Sequence, residues 1–170
     1  MIQQELNSEV KAGIDEWLVR YPTDQKQSGV LYALRLAQEQ NGGWLTEALM
    51  DAVADYLALP KIAVYEVATF YSMYDLQPVG RKKIAVCVNI SCNLRGSDNI
   101  LYHLKKRLGV GPGETTKDGR YTVKAVECLA ACTRAPALQV DDKYYYDNLT
   151  PESIDKMLDE FDKEDEKNGK

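Results

Sequence analysis

The four cysteines of this chain form two close pairs, and that arrangement constrains the fold more than any other feature. Cys87 and Cys92 form a C-x4-C pair, and Cys128 and Cys132 form a C-x3-C pair after 35 further residues. No cysteine occurs among the first 86 of the 170 residues. We therefore expect one chemical site in the second half, built by two loops that converge in space.

The first 80 residues have the periodicity of helices, with apolar residues recurring three and four positions apart. Ser28 and Thr46 are expected N-caps, and Pro60 suits a first helical turn. Four helices joined by short loops predict an antiparallel four-helix bundle over residues 1–79. The predicted helices run from Asn7 to Leu18, from Ser28 to Asn41, from Thr46 to Leu57 and from Ile62 to about Met73.

After Gly80 the pattern changes to the order β-α-β-β-β-α. Residues 83–88 and 121–126 are apolar and β-branched, as in strands, and 137–140 pairs with 143–146 as a hairpin. Residues 98–108 are helical, and a last helix begins after Thr150. The sequence predicts an α+β protein, with a small α/β domain over residues 80–162 and a flexible acidic tail over 163–170.

Charge and hydropathy exclude several classes of protein. The net charge is −5, and residues 151–170 hold eight acids and four bases, so the remainder is nearly neutral. A general nucleic-acid-binding domain would carry a basic excess. No stretch approaches the roughly 18–20 apolar residues of a membrane span, so we expect no membrane insertion. The first residues resemble neither an export signal nor an organellar presequence, and we expect a chain of the bacterial cytosol or a mature organellar form, with reduced thiols.

Four convergent thiolates suit a soft metal or an iron–sulfur cluster. Structural disulfides are disfavoured in a reducing compartment, and a thiol-exchange enzyme would use a C-x-x-C pair. Isolated buried cysteines do not explain two close pairs. Zinc is the stronger rival, although its sites usually lie in short modules that fold only with metal. The spacing favours an iron–sulfur centre and leaves zinc open.

The residues around the cysteines resemble a known family. The resemblance is to the thioredoxin-like 2Fe–2S subunit of NADH–quinone oxidoreductase, the peripheral-arm E subunit of bacterial respiratory complex I. It extends over about residues 10–160. It rests on Cys87-x4-Cys92-Asn-Leu-Arg-Gly, on residues 108–120, on Glu127-Cys-Leu-Ala-Ala-Cys-Thr-Arg-Ala-Pro136, and on Ala68-Thr-Phe-Tyr-Ser-Met-Tyr74 followed by Pro78-Val-Gly80.

The resemblance implies one 2Fe–2S cluster, with one iron held by Cys87 and Cys92 and the other by Cys128 and Cys132. It implies an electron-transfer subunit of an NADH:quinone oxidoreductase, with no catalytic residue and no complete active site of its own. The implied partners are a flavoprotein subunit that binds FMN and NADH, and the larger iron–sulfur subunit of the peripheral arm. The implied location is the cytoplasmic face of a bacterial inner membrane.

Other functions remain open at this point. The equivalent diaphorase subunit of an NAD-linked hydrogenase or formate dehydrogenase would use the same module. A free-standing thioredoxin-like ferredoxin would generally lack the helical half. In a different class of function, the chain would be an interaction module stabilised by a four-cysteine zinc site, with no redox role. Bound iron or zinc, and the identity of co-purifying proteins, would discriminate these functions.

One position departs from the family pattern. The family usually has glycine where Ala130 stands, so a positive φ there would cost roughly 1 kcal/mol or more. Amides of residues 91–94 and 129–133 are candidate donors to the sulfurs, and Arg95 and Arg134 are candidate nearby cations.

Three further patterns favour structural roles. His103 lies outside the apolar stripe of its helix, so we expect it to be exposed and not a metal ligand. The segment Gly109-x-Gly111-x-Gly113 follows a helix, which predicts a turn and not a dinucleotide-binding loop. The aromatic run Phe70-Tyr71-x-x-Tyr74 is expected in the helical core or between the domains.

Overall fold

The structure is a computed structural model that describes residues 5–167. The chain divides into two compact units, residues 1–79 and residues 80–170. The described part of the first unit is helical, whereas that of the second combines helices with a four-stranded sheet. Residues 1–4 and 168–170, which include the end of the predicted acidic tail, lie outside the described residues.

Polar caps set where two helices of the first unit begin. The Asn7 side chain accepts a hydrogen bond from the Val10 amide at 2.8 Å, and Thr46 Oγ1 accepts one from the Leu49 amide at 3.1 Å. Each cap satisfies an amide that the helix itself leaves unpaired. The helices are α1 (Ser8–Leu18), α2 (Val30–Gln40), α3 (Glu47–Leu57) and α4 (Lys61–Phe70), and a 3-10 turn spans Lys26–Gly29.

Two predicted boundaries in this unit are wrong. Ser28 caps no helix, because it lies inside the 3-10 turn that runs directly into α2. The helix α4 ends at Phe70 and not near Met73. The residues after Phe70 leave the helix and pair with the side chain of the buried Gln38. The Gln38 side-chain amide donates to the Met73 carbonyl at 3.1 Å, and its oxygen accepts from the Asp75 amide at 2.8 Å.

The aromatic run at the end of α4 is only partly in the core. Tyr74 is buried, and its hydroxyl donates to the Leu31 carbonyl at 2.7 Å. Phe70 is 81% exposed. The core of this unit is formed by apolar residues from all four helices, including Ile14, Leu34, Leu49, Val53 and Val64.

The second unit is built on a sheet of strand order β2-β1-β3-β4 within the described residues. β1 runs parallel to β2, whereas β1–β3 and β3–β4 are antiparallel pairs. The central strand β1 is buried along most of its length, which explains its continuous apolar sequence. The strands are β1 (Lys82–Cys87), β2 (Tyr121–Val126), β3 (Leu138–Val140) and β4 (Tyr144–Tyr146).

Helices α5 (Ile90–Leu94), α6 (Ser97–Leu108) and α7 (Pro151–Lys167) complete this unit. Ile100 and Leu104 of α6 are buried, and Leu101 and Leu108 are half-buried against the same core. Gly109 ends α6 at φ 74°, as its position predicts. Four apolar residues of α7 are also buried, namely Ile154, Met157, Leu158 and Phe161.

The last helix extends into the predicted flexible tail. Residues 163–167 are helical, where the acidic composition suggested a tail without structure. Ion pairs explain the difference, since Arg120 lies 2.7 Å from an Asp162 oxygen and 2.8 Å from an Asp165 oxygen. Acidic residues therefore hold this helix against β2. Among residues 5–167, no helix is both long enough and apolar enough to cross a membrane.

Candidate metal centre

The topology of the sheet brings the two cysteine pairs to one edge. β1 and β2 are adjacent and parallel, with Cys87 opposite Val126 in the register, so the chain leaves both strands on the same side. Cys87 is the last residue of β1, and Cys92 lies in α5 just beyond it. Cys128 follows β2 by two residues, and Cys132 begins a 3-10 turn.

The loops carrying the two pairs pack against each other. Cys87 and Cys92 are each only 2% exposed, whereas Cys128 and Cys132 are exposed, and all four thiols are free. The buried pair shares a small apolar cluster with residues that lie within and just after the C-x3-C pair. That cluster contains Cys87, Cys92, Ala135 and Ala137, with Leu129 and Ala131 packed against it.

The exposed pair has the spacing of two sulfurs that share one metal. Cys128 Sγ and Cys132 Sγ lie 3.7 Å apart. Two thiolates bound tetrahedrally at about 2.3 Å from one metal would be about 3.8 Å apart. Across residues 5–167, no three His, Cys, Asp or Glu side chains meet the distances of a complete metal site. The four cysteines can supply sulfur ligands, and their assignment to one metal centre is a proposal.

One backbone amide reaches a cysteine sulfur among the described residues. The Ala130 amide donates to Cys128 Sγ at 3.3 Å. It lies within the predicted donor segment 129–133. Ala137 packs in the same small cluster as Cys92. Ala137 was missed, because only its pairing with β1 across the fold brings it to this site.

Two of the thiols, Cys92 and Cys132, have raised pKa values. Burial raises the pKa of the Cys92 thiol, and the neighbouring Cys87 raises it further. The hydrogen bond with Cys128 raises the pKa of the Cys132 thiol. A reactive thiol requires a lowered pKa. A bound cation would favour deprotonation of these two thiols, as it does for metal ligands.

The predicted cations and the histidine have other roles in the structure. Arg134 is exposed and forms an ion pair with Asp147 at 3.1 Å, and Arg95 is also exposed. His103 is half-buried and not exposed as predicted, because α7 lies beside α6 and Asp155 is 2.9 Å from His103 Nε2. This contact gives His103 a structural partner between the two helices.

Known proteins identify the class to which this fold and cysteine pattern belong. Residues 14–162 match the family described as thioredoxin-like 2Fe-2S ferredoxin. That match covers most of the chain, and the chain belongs to this family. The resemblance inferred from the cysteine-flanking motifs is confirmed, and the mixed sheet-and-helix fold is thioredoxin-like.

Curated relatives narrow the comparison to one kind of subunit. The chain is 44% identical to the E subunit of NADH-quinone oxidoreductase from Rickettsia bellii over 147 residues, which cover 86% of this chain and 87% of that protein. The same-named protein of Rickettsia conorii is 46% identical over the same coverage. A mitochondrial relative from Dictyostelium discoideum, NADH dehydrogenase (ubiquinone) flavoprotein 2, is 40% identical over 87% of this chain and 60% of that protein.

A solved structure shares the fold at low sequence identity. It is the NAD+-reducing NiFe-hydrogenase in the air-oxidized state, with a TM-score of 0.66 and 20% identity. The match covers 80% of this chain and 23% of that chain, so this protein spans about a quarter of the hydrogenase chain. At this identity the likeness establishes the fold alone.

Proposed function

We propose that this chain is the electron-transfer E subunit of an NADH–quinone oxidoreductase and that it binds one 2Fe–2S cluster. Cys87 and Cys92 would hold one iron, and Cys128 and Cys132 the other. When bound, such a cluster supplies reversible one-electron transfer. The chain contributes the four thiolates, the hydrogen bonds to their sulfurs and the packing that excludes water from one pair.

The observation that carries this proposal is the convergence of the two cysteine loops at one sheet edge. Leu129 and Ala131 pack against the cluster that contains Cys87 and Cys92, so the two pairs occupy one place in the fold. The family match and the relatives from NADH-quinone oxidoreductase support iron and sulfide over zinc. Four thiolates would also bind a structural zinc ion, so the identity of the bound metal distinguishes a zinc site from an iron–sulfur cluster.

The proposal extends to partners and location. The N-terminal helices would form a four-helix bundle that docks on the FMN- and NADH-binding flavoprotein subunit. The larger iron–sulfur subunit of the peripheral arm would complete the electron path, and quinone reduction would occur on other chains. The assembled complex would place this chain peripherally on the cytoplasmic face of a bacterial inner membrane.

Anaerobic purification of the full chain tests the cofactor. We expect brown protein with two irons and two sulfides per chain, and an EPR signal that appears on one-electron reduction and disappears on reoxidation. Colourless protein that holds stoichiometric zinc, even after iron–sulfur reconstitution under argon, would overturn the electron-transfer function. The interaction module stabilised by a zinc site would then be the better account.

Affinity capture from the native host tests the parent enzyme. We expect an FMN-containing flavoprotein and further iron–sulfur subunits of a quinone reductase to co-purify with the chain. Recovery of hydrogenase or formate dehydrogenase subunits in their place would assign the chain to an NAD-linked diaphorase. A bait with a disrupted cysteine pair, such as Cys128→Ser, separates docking by the helical half from docking that requires the cluster.

A further inference from the structure

Ala130 adopts a backbone conformation that residues with a Cβ rarely adopt. Its φ is 58°, in the left-handed region that favours glycine. Its side chain is exposed, so burial of the methyl group does not offset that cost. The strain expected from the departure at this position is therefore present.

The Ala130 amide contacts a cysteine sulfur. It donates a hydrogen bond to Cys128 Sγ, with an N–S distance of 3.3 Å. The same loop brings Cys128 Sγ to 3.7 Å from Cys132 Sγ. The peptide plane between Leu129 and Ala130 carries the N–H donor, and the left-handed φ of Ala130 directs the following chain toward Cys132.

The charge on the sulfur determines what this hydrogen bond does. An amide N–H presents a partial positive charge, and a thiolate on iron becomes more negative when the site gains an electron. The donor therefore stabilises the reduced state more than the oxidised state, and its removal lowers the reduction potential. Because this loop is exposed, its sulfurs lack the protein packing that surrounds Cys87 and Cys92.

We propose that Ala130 is a positioning residue that raises the reduction potential of the centre by holding its N–H on Cys128 Sγ. This inference rests on the proposed 2Fe–2S function. The step involves one electron, delivered by an external reductant such as dithionite. No covalent bond forms or breaks, and the amide proton stays on nitrogen.

Replacement of Ala130 by L-lactic acid in the full chain tests the role of the N–H. The resulting ester keeps the methyl group and the chain direction but lacks the N–H donor. We expect EPR-monitored titration to show the reduction equilibrium shifted roughly tenfold toward the oxidised form, which is 59 mV for one electron. The matched control is the same replacement at Ala131, whose N–H has no hydrogen bond in the part of the chain described.

A second variant separates the donor from the strain. Ala130→Gly keeps the N–H and relieves the left-handed conformation, so its potential should stay close to the wild-type value. An unchanged potential in the Ala130 lactate variant, with a normal EPR signal, would overturn the inference alone. Cluster loss confined to that variant would also overturn it, since the N–H would then be purely structural. A wild-type chain with no EPR signal would overturn the proposed function first.

Discussion

The Cys87 amide donates a hydrogen bond to the Ala137 carbonyl at 3.0 Å, and this bond ties the end of β1 to the segment after the C-x3-C pair. Ala137 also packs in one small cluster with Cys87 and Cys92. Ala137 is fully buried. One small residue therefore contacts both members of the buried cysteine pair, which makes its size critical.

Ala137→Leu should lower the free energy of unfolding by about 1–3 kcal/mol, because the extra carbons have no space in a packed interior. The enlarged side chain should also displace Cys92 and reduce the iron retained after purification. Denaturation followed by far-UV circular dichroism measures the first effect, and iron analysis measures the second.

Ala12→Leu is the matched control, since Ala12 is exposed on α1. It should change the free energy of unfolding by no more than about 0.5 kcal/mol and leave the iron content unchanged. Equal losses of stability in the Ala137 and Ala12 variants would show that the buried position does not support the site.

Cys128→Ser should abolish or strongly reduce cluster binding, because a serine oxygen is a poor substitute for a soft thiolate ligand. The helical signal in circular dichroism should persist, since Cys128 is exposed and lies outside the helices. Visible absorbance and iron content report the loss. Thr133→Ser, a comparable change at an exposed neighbour, should keep both at wild-type levels. A wild-type visible spectrum in the Cys128 variant would remove Cys128 from the ligand set.

The Asp51 carboxylate should give the first unit a pH-dependent stability. It accepts hydrogen bonds from Lys61 Nζ at 2.7 Å and from the Tyr65 hydroxyl at 2.9 Å. These bonds, that of Lys61 first, hold the pKa of Asp51 below its ordinary value of 3.8. Since the pKa is lower in the folded state, the stabilisation is complete above the unfolded pKa and is lost as pH falls through the folded one.

Asp51→Asn should therefore lower the melting temperature at about pH 7, and the difference should shrink below about pH 4. Both tryptophans, Trp17 and Trp44, lie in the first unit, so tryptophan fluorescence follows its melting. Asp55→Asn, an exposed change on the same helix, controls for the loss of a charge. A melting difference for Asp51→Asn that is as large at about pH 3 as at about pH 7 would contradict the assignment.

Leu104→Ala should destabilise the second unit strongly. Leu104 is fully buried on α6, and deletion of three carbons from such a site costs about 2–5 kcal/mol. Lys105→Ala, at the next and exposed position, should fall within about 0.5 kcal/mol of wild type. Denaturant unfolding of both variants checks the difference, and similar midpoints would mean that α6 does not cover the core as described.

Local chemistry made much of the fold predictable. The Thr46 cap depends on an amide three positions away, and the boundaries of β2 follow from its own alternation. The five-residue helix α5 was missed because it is too short to show periodicity. The end of α4 was misplaced because it is decided by Gln38, which is distant in sequence.

The candidate site, like the fold, was predictable only as far as local sequence patterns determine it. The paired spacing and the strand ends placed Cys87 and Cys128 at one edge, and the family pattern singled out Ala130. The packing of Ala137 beside the buried cysteines and the burial difference between the pairs depend on contacts across the sheet. No local pattern encodes those long-range contacts.

X-ray absorption at the iron and zinc edges of the anaerobically purified chain tests the central claim most directly. The account predicts iron surrounded only by sulfur, with a second iron as a near neighbour, because each cysteine pair would hold one metal. A zinc edge with four sulfurs and no metal–metal neighbour would contradict it.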